Sequence, residues 1–187
     1  MFIQTEATPN PATLKFIPGR EVLAEGTLDF RSAAEAAASP LAHRLFDIEG
    51  IEGVFLGADF ISVTKKDSEP WQHLKPAILG AVMEHYLSGA PIVEGASTDS
   101  HARDGEDYDP KDEETVNIIK ELIATRVRPA VANDGGDIIF QGYKDGVVFL
   151  HMRGACSGCP SSTATLRGGI ENLLKHFCLE VAEVRAS

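Results

Sequence analysis

Two cysteines separated by two residues stand where the sequence changes from a strand pattern to a helix pattern, and this junction constrains the fold most strongly. The preceding residues, Val147 to Met152, are apolar, β-branched and aromatic, and they follow the turn signal Asp145-Gly146, which predicts a strand. After the cysteines, apolar residues recur at helical spacing from Leu166 to Phe177. Pro160 suits the first position of that helix, where its missing N–H costs nothing. The sequence therefore predicts a strand, a short cysteine turn and a helix.

The cysteines of this turn are Cys156 and Cys159, and both are candidate metal ligands. Cys159 falls beside the predicted N-terminus of the helix, where free N–H groups and the positive end of the helix dipole favour a thiolate. We therefore expect the turn to present two sulfurs as anions. Three kinds of chemistry fit such a pair: dithiol–disulfide exchange, half of a zinc site, or half of an iron–sulfur site.

A four-ligand site needs more donors than one chain offers. The third and last cysteine, Cys178, follows Cys159 along the predicted helix, and the helical rise places its sulfur on the order of 25 Å away. The nearest histidines, His151 and His176, lack metal-ligand spacing to the pair; we expect the first on an exposed strand position and the second at the helix C-terminus. One chain thus supplies two ligands, and two chains related by a two-fold axis would supply four.

Three motifs around the cysteines resemble the NifU C-terminal (Nfu) domain family. They are Arg128-Pro129, the NDGGD stretch from Asn133 to Asp137, and the GACSGCPSS stretch from Gly154 to Ser162. The opening of the chain, Phe2 to Pro11 followed by Leu14 to Gly19, is similar to the Nfu N-terminal domain of bacterial and mitochondrial members. Together these resemblances cover nearly the whole chain except the segment near residues 96–112.

The resemblance implies a scaffold or carrier that holds a [4Fe-4S] cluster between the two subunits of a homodimer. Such a carrier would receive the cluster from upstream assembly proteins and pass it to apo iron–sulfur proteins. The family's ligands map onto Cys156 and Cys159 only. No catalytic base or nucleophile is required, so we do not expect an enzyme. The residues leave open a dithiol–disulfide oxidoreductase that uses the same pair, and a zinc-bridged structural dimer ranks third.

The chain as a whole predicts an α+β protein, in which two small α+β domains are joined by an acidic flexible linker. Residues 1–95 combine strand patterns with an alanine-rich helical segment at 32–38, a helix that begins at Ser39-Pro40 and another over about 70–87. Residues 96–112 are polar and acidic and predict the linker. A long helix is predicted to start near Lys111. Residues 113–187 then contain the cysteine turn and a predicted three-stranded sheet. By resemblance the first domain selects partners and the second binds the cluster.

The charge and hydropathy of the chain argue against nucleic-acid binding and against a membrane-spanning segment. The formal net charge is −11, of which residues 1–95 carry −6, residues 96–114 a further −6 and residues 115–187 only +1. We therefore expect no nucleic-acid partner, because the charge distribution predicts no basic surface. No apolar run approaches the roughly eighteen residues of a membrane span.

The opening of the chain and the cysteine count bear on the compartment. Met1 to Arg20 has neither the pattern of a signal peptide nor that of a transit peptide. Three cysteines, an odd number, do not make a disulfide framework, which fits a reducing compartment. We expect a bacterial cytoplasm, with a mature mitochondrial matrix protein as the alternative.

Overall fold

A computed structural model describes residues 1–95, 106–157 and 160–187 of the chain. The chain divides into two compact units, Met1–Ser100 and His101–Ser187, and each has its own apolar core. Each unit combines one sheet with helices, so the predicted α+β class is confirmed. Among the described residues, no helix has both the length and the apolarity needed to cross a membrane.

The first unit is an antiparallel five-stranded sheet with two helices. Its strands lie in the order β1-β2-β5-β4-β3. They are β1 (Gln4–Ala7), β2 (Thr13–Ile17), β3 (Leu28–Phe30), β4 (Ile51–Leu56) and β5 (Ile61–Lys65), and the helices are α1 (Pro40–Phe46) and α2 (Trp71–Ser88). As the Ser-Pro pattern predicts, Ser39 is the N-cap of α1, and its Oγ accepts a hydrogen bond of 3.2 Å from the N–H of Ala42.

The core of the first unit follows from the periodicity of its elements. On α2, Leu74, Ile78 and Val82 recur every four residues and are buried together with apolar residues of the sheet. The sequence predicts a helical segment at 32–38, and the structure has a 3₁₀ turn over Glu35–Ala38 in this segment. Before β3, the N–H of Val22 donates to the carbonyl of Ala58 at 2.7 Å, which connects this segment to the loop between β4 and β5.

The second unit has a four-stranded sheet in the order β6-β7-β8-β9. The strands are β6 (Asp107–Tyr108), β7 (Gly136–Lys144), β8 (Val147–Gly154) and β9 (Glu183–Ala186). β7 and β8 form an antiparallel hairpin, whose turn places Asp145 at φ 50 and Gly146 at φ 81. The helix α5 (Pro160–Phe177) connects β8 to the parallel strand β9. The predicted order of strand, cysteine turn and helix is thus present.

Two details of the second unit differ from the sequence prediction. Residues 96–105 of the predicted linker lie outside the described residues, but Asp107 and Tyr108, from the same segment, form β6 and pair with β7. The long helix predicted from Lys111 is divided into α3 (Glu113–Leu122), a π-helical turn (Ile123–Val127) and α4 (Arg128–Asn133). The division follows from Pro129, which has no N–H to continue the helical hydrogen-bond ladder.

Candidate functional site

Cys156 lies in the turn between β8 and α5, and hydrogen bonds hold this turn on both sides. The N–H of Ala155 donates to the carbonyl of Gly135, before β7, at 3.2 Å, and the N–H of Ser157 donates to the carbonyl of Gly154 at 3.1 Å. On the helix side, the hydroxyl of Thr163 donates to the carbonyl of Cys156 at 3.0 Å. The backbone of Cys156 is therefore connected both to the sheet and to the first turn of α5.

The side chain of Cys156 points into the protein. The residue is 6 % exposed and belongs to the apolar core of the second unit. Gly136, the first residue of β7, provides the space for it: a Cβ at this position would lie 2.9 Å from Cys156 Sγ and 2.6 Å from the carbonyl oxygen of Arg153. Real Cβ atoms do not approach backbone oxygens so closely, so this pairing of β7 with the cysteine turn requires glycine at 136.

The environment of Cys156 disfavours the thiolate. Burial raises the pKa of the Cys156 thiol to about 11, and the carboxylates of Asp134 and Asp137 act in the same direction. The expectation that the turn presents this sulfur as an anion is therefore wrong for the described state. The favourable field of a helix N-terminus is confined to its first turn, and Cys156 lies four residues before Pro160, the first residue of α5.

An ion pair beside the turn connects α4 to β7. Arg128 Nε donates to Asp137 Oδ1 at 2.8 Å, and its Nη2 donates to Oδ2 at 2.7 Å. Asp137 Oδ1 also accepts a hydrogen bond of 2.8 Å from the N–H of Ile138. The carboxylate side chain is 5 % exposed, against 42 % for the guanidinium side chain. The hydrogen bonds that Arg128 donates to Asp137 raise the pKa of the guanidinium, so Arg128 stays charged.

The sequence prediction named neither Thr163 nor this ion pair. Asp137 ends the NDGGD stretch, and the structure makes it the second residue of β7. An acidic residue inside an apolar strand is a usable signal, because a buried carboxylate requires a partner. Arg128, in the neighbouring RP motif, was part of the family resemblance but had no assigned role.

The other candidate ligands are Cys159, Cys178, His151 and His176. Cys159 lies outside the described residues. Cys178 is buried directly after the last residue of α5, at the opposite end of that helix from the cysteine turn, as predicted. His151 Nδ1 lies 3.3 Å from Ser187 Oγ, and the ring of His176 contacts Phe177. Within these described ranges, no group of three or more His, Cys, Asp or Glu side chains is arranged to hold a metal ion.

Comparisons with known proteins match both units. A family model described as the scaffold protein Nfu/NifU N-terminal domain matches residues 3–89, and a NifU-like domain model matches residues 119–185. The chain is 48% identical over 185 residues to a Drosophila sechellia protein named NFU1 iron-sulfur cluster scaffold homolog, mitochondrial, covering 98% of this chain and 64% of the relative. The human protein of the same name is 49% identical, with 98% of this chain and 71% of the relative covered.

The chain therefore spans slightly less than two thirds of the length of the Drosophila relative. Among solved structures, a NifU-like protein from Saccharomyces cerevisiae superposes on 51% of this chain and 87% of its own, with a TM-score of 0.47 and 25% sequence identity.

Proposed function

The chain belongs to the Nfu/NifU family of iron–sulfur cluster scaffold proteins, and we propose that it carries a [4Fe-4S] cluster as cargo between two copies of itself. Cys156 and Cys159 of each copy would bind the cluster, and apo iron–sulfur proteins would receive it. The observation that carries this proposal is the distribution of thiols. Cys156 lies at one end of α5 and Cys178 at the other, so one chain brings a single C-x-x-C pair to the turn.

Four thiolates complete the coordination of a four-iron cluster. Two chains related by a two-fold axis supply them, which is the commonest symmetry of homo-oligomers. A zinc-bridged dimer would use the same four sulfurs, but the family is one of iron–sulfur scaffolds. The chemistry of the donors and the membership of the family thus support the same cargo.

The proposed transfer is a ligand exchange. Thiolates of an acceptor displace Cys156 and Cys159 one at a time, and opening of the dimer removes half of the coordination at once. A site with two ligands per subunit therefore suits release as well as binding. The chain's own groups provide ligation and not bond-making catalysis, so we propose a carrier and not an enzyme.

The dithiol oxidoreductase is less well supported by the described site. Reactive cysteines of that class are accessible and have a lowered pKa, whereas Cys156 is buried and its pKa is raised. Disulfide exchange also does not explain the family of iron–sulfur scaffolds to which the chain belongs.

We also propose a division of labour and a location. Residues 113–187 would hold the cluster, residues 1–95 would select partners, and residues 96–112, apart from the two residues of β6, would connect them. Upstream assembly proteins would load the carrier. Two of the relatives are named mitochondrial, which favours the mitochondrial alternative over the bacterial cytoplasm. Both compartments keep thiols reduced, and the proposed chemistry is the same in each.

The test is size-exclusion chromatography with metal analysis after anaerobic reconstitution of the full chain. We expect a brown dimer with about four irons and four sulfides per two chains. Cys156→Ala and Cys159→Ala should each abolish both the colour and the cluster-dependent dimer, because two thiolates per dimer remain. A stable monomer that holds four irons would refute the shared site.

A further inference from the structure

The inward position of Cys156 conflicts with the geometry of a shared cluster. A cluster that a second chain also ligates must lie at the protein surface. Cys156, however, is 6 % exposed and packs in the core of the second unit, with its sulfur close to Gly136. Interiors are packed as densely as organic crystals, so the sulfur reaches the surface only if the packing around Cys156 rearranges. The described state is therefore closed with respect to ligation by Cys156.

Thr163 connects this turn to the helix that follows it. Its hydroxyl, in the first turn of α5, donates to the carbonyl oxygen of Cys156 at 3.0 Å. The carbonyl group and the side chain both belong to Cys156, so a hydrogen bond that fixes its backbone also limits the directions in which Sγ can point. On the sheet side the N–H of Ala155 is bonded to the carbonyl of Gly135. Movement of the sulfur outwards with its peptide would break the bond to Thr163.

We propose that Thr163 is a positioning residue whose hydroxyl holds Cys156 in an inward position, and that this hydrogen bond opens when Cys156 takes up a cluster. The second part rests on the proposed function, and the first part does not. The closed position keeps the thiol of the apo protein away from solvent and oxidants. It also makes cluster loading depend on the release of the hydrogen bond between Thr163 and Cys156.

The size of the effect follows from the strength of one hydrogen bond. A neutral hydrogen bond in a protein changes a local equilibrium by roughly two- to tenfold once exchange with water is included. Removal of the Thr163 hydroxyl should raise the population of the open turn by this factor. Thr163→Val removes the hydroxyl at nearly constant volume, and Thr163→Ser retains it.

The experiment measures alkylation of the full apo chain by iodoacetamide under reducing, iron-free conditions, with mass spectrometry of each cysteine. A Cys159→Ser parent leaves Cys156 and Cys178 as the two thiols, since the chain has three cysteines. Cys178 is also buried in the same core, so its alkylation reports opening of the whole unit. Its rate is the internal control for global unfolding.

In the Cys159→Ser parent, we expect Cys156 to react far more slowly than a solvent-exposed cysteine. Thr163→Val should accelerate Cys156 roughly two- to tenfold and leave Cys178 unchanged, and Thr163→Ser should match the parent. If Thr163→Val does not fold, Thr163→Ala provides the same comparison.

Four results would overturn the proposal. They are a parent Cys156 that reacts like an exposed thiol, no acceleration in the hydroxyl-free variant, equal acceleration of Cys156 and Cys178, or a Thr163→Ser variant as fast as Thr163→Val. The assay contains no iron, so its outcome is independent of the reconstitution that tests the proposed function.

Discussion

The ion pair between Arg128 and Asp137 offers the most quantitative test of the packing beside the cysteine turn. Arg128→Ala removes two hydrogen bonds, of 2.8 and 2.7 Å, to a carboxylate whose side chain is 5 % exposed. Loss of one partner from a fully buried pair costs about 3–5 kcal/mol, mainly because a charge remains in the interior. The guanidinium side chain is 42 % exposed, so we expect a smaller loss of about 2–3 kcal/mol.

The chain contains a matched control for this variant. Lys120 Nζ lies 2.7 Å from Glu106 Oε1, and its side chain is also 42 % exposed, but the carboxylate side chain of Glu106 is 33 % exposed. The two pairs therefore share the contact distance and the exposure of the cation, and they differ in the burial of the acid. Because water solvates Glu106, Lys120→Ala should cost only about 0–1 kcal/mol.

Urea and thermal unfolding of the full chain measure both variants. The single tryptophan, Trp71, lies in the first unit, so its fluorescence follows that unit, while far-UV circular dichroism follows both. For a unit of this size, about 2–3 kcal/mol corresponds to a fall in Tm of about 10–20 °C. We expect this fall in the dichroism of Arg128→Ala, with an unchanged tryptophan transition.

Two outcomes would refute this reasoning. If Lys120→Ala destabilises the second unit as much as Arg128→Ala, burial of the acid does not decide the strength of these pairs. If Arg128→Ala shifts the tryptophan transition by the same amount, the effect of the variant is not confined to the second unit.

Three further predictions concern single sites. Gly136→Ala should destabilise the second unit by about 1–3 kcal/mol, because the new Cβ would lie 2.6 Å from Arg153 O. Its control, Gly168→Ala on open helix surface, should stabilise the unit by up to about 1 kcal/mol. Equal urea midpoints for the two variants would contradict the prediction. Burial lowers the pKa of His85 from its ordinary 6.5, so the unfolded chain binds the proton more readily and the first unit should lose stability as the pH falls below 6.5. His85→Leu should remove that loss from the tryptophan-monitored transition, and a persistent loss would exclude His85 as its source. Cys178→Ala should keep the iron and sulfide content of the reconstituted protein, because this buried thiol lies at the far end of α5; a colourless but folded variant would contradict the two-ligand count.

Local patterns were sufficient to predict the class of the fold and most of its elements. The Ser-Pro cap of α1, the apolar stripe on α2 and the change from strand to helix at the cysteine turn all depend on residues close together in sequence. The predicted separation of Cys178 from the turn also needed only the helical rise. These properties follow from backbone geometry and short-range hydrogen bonds, which each segment carries by itself.

Other features depend on residues that are distant in sequence. The two residues of β6 have no strand pattern of their own, and pairing with β7 makes them a strand because Gly142 permits a close approach. The inward position of Cys156 is also a tertiary property: Gly136 provides the space for its sulfur, and Cys156 is part of the apolar core of the second unit.

The sequence by itself therefore determined which residues are candidate ligands and which elements carry them, because residue type and spacing set both. Only the tertiary structure decided the state of Cys156. Its burial and its raised pKa arise from β7, α5 and the carboxylates of Asp134 and Asp137, groups that the folded chain brings together around one sulfur. Desolvation depends on everything that surrounds a group, and no local pattern specifies those surroundings.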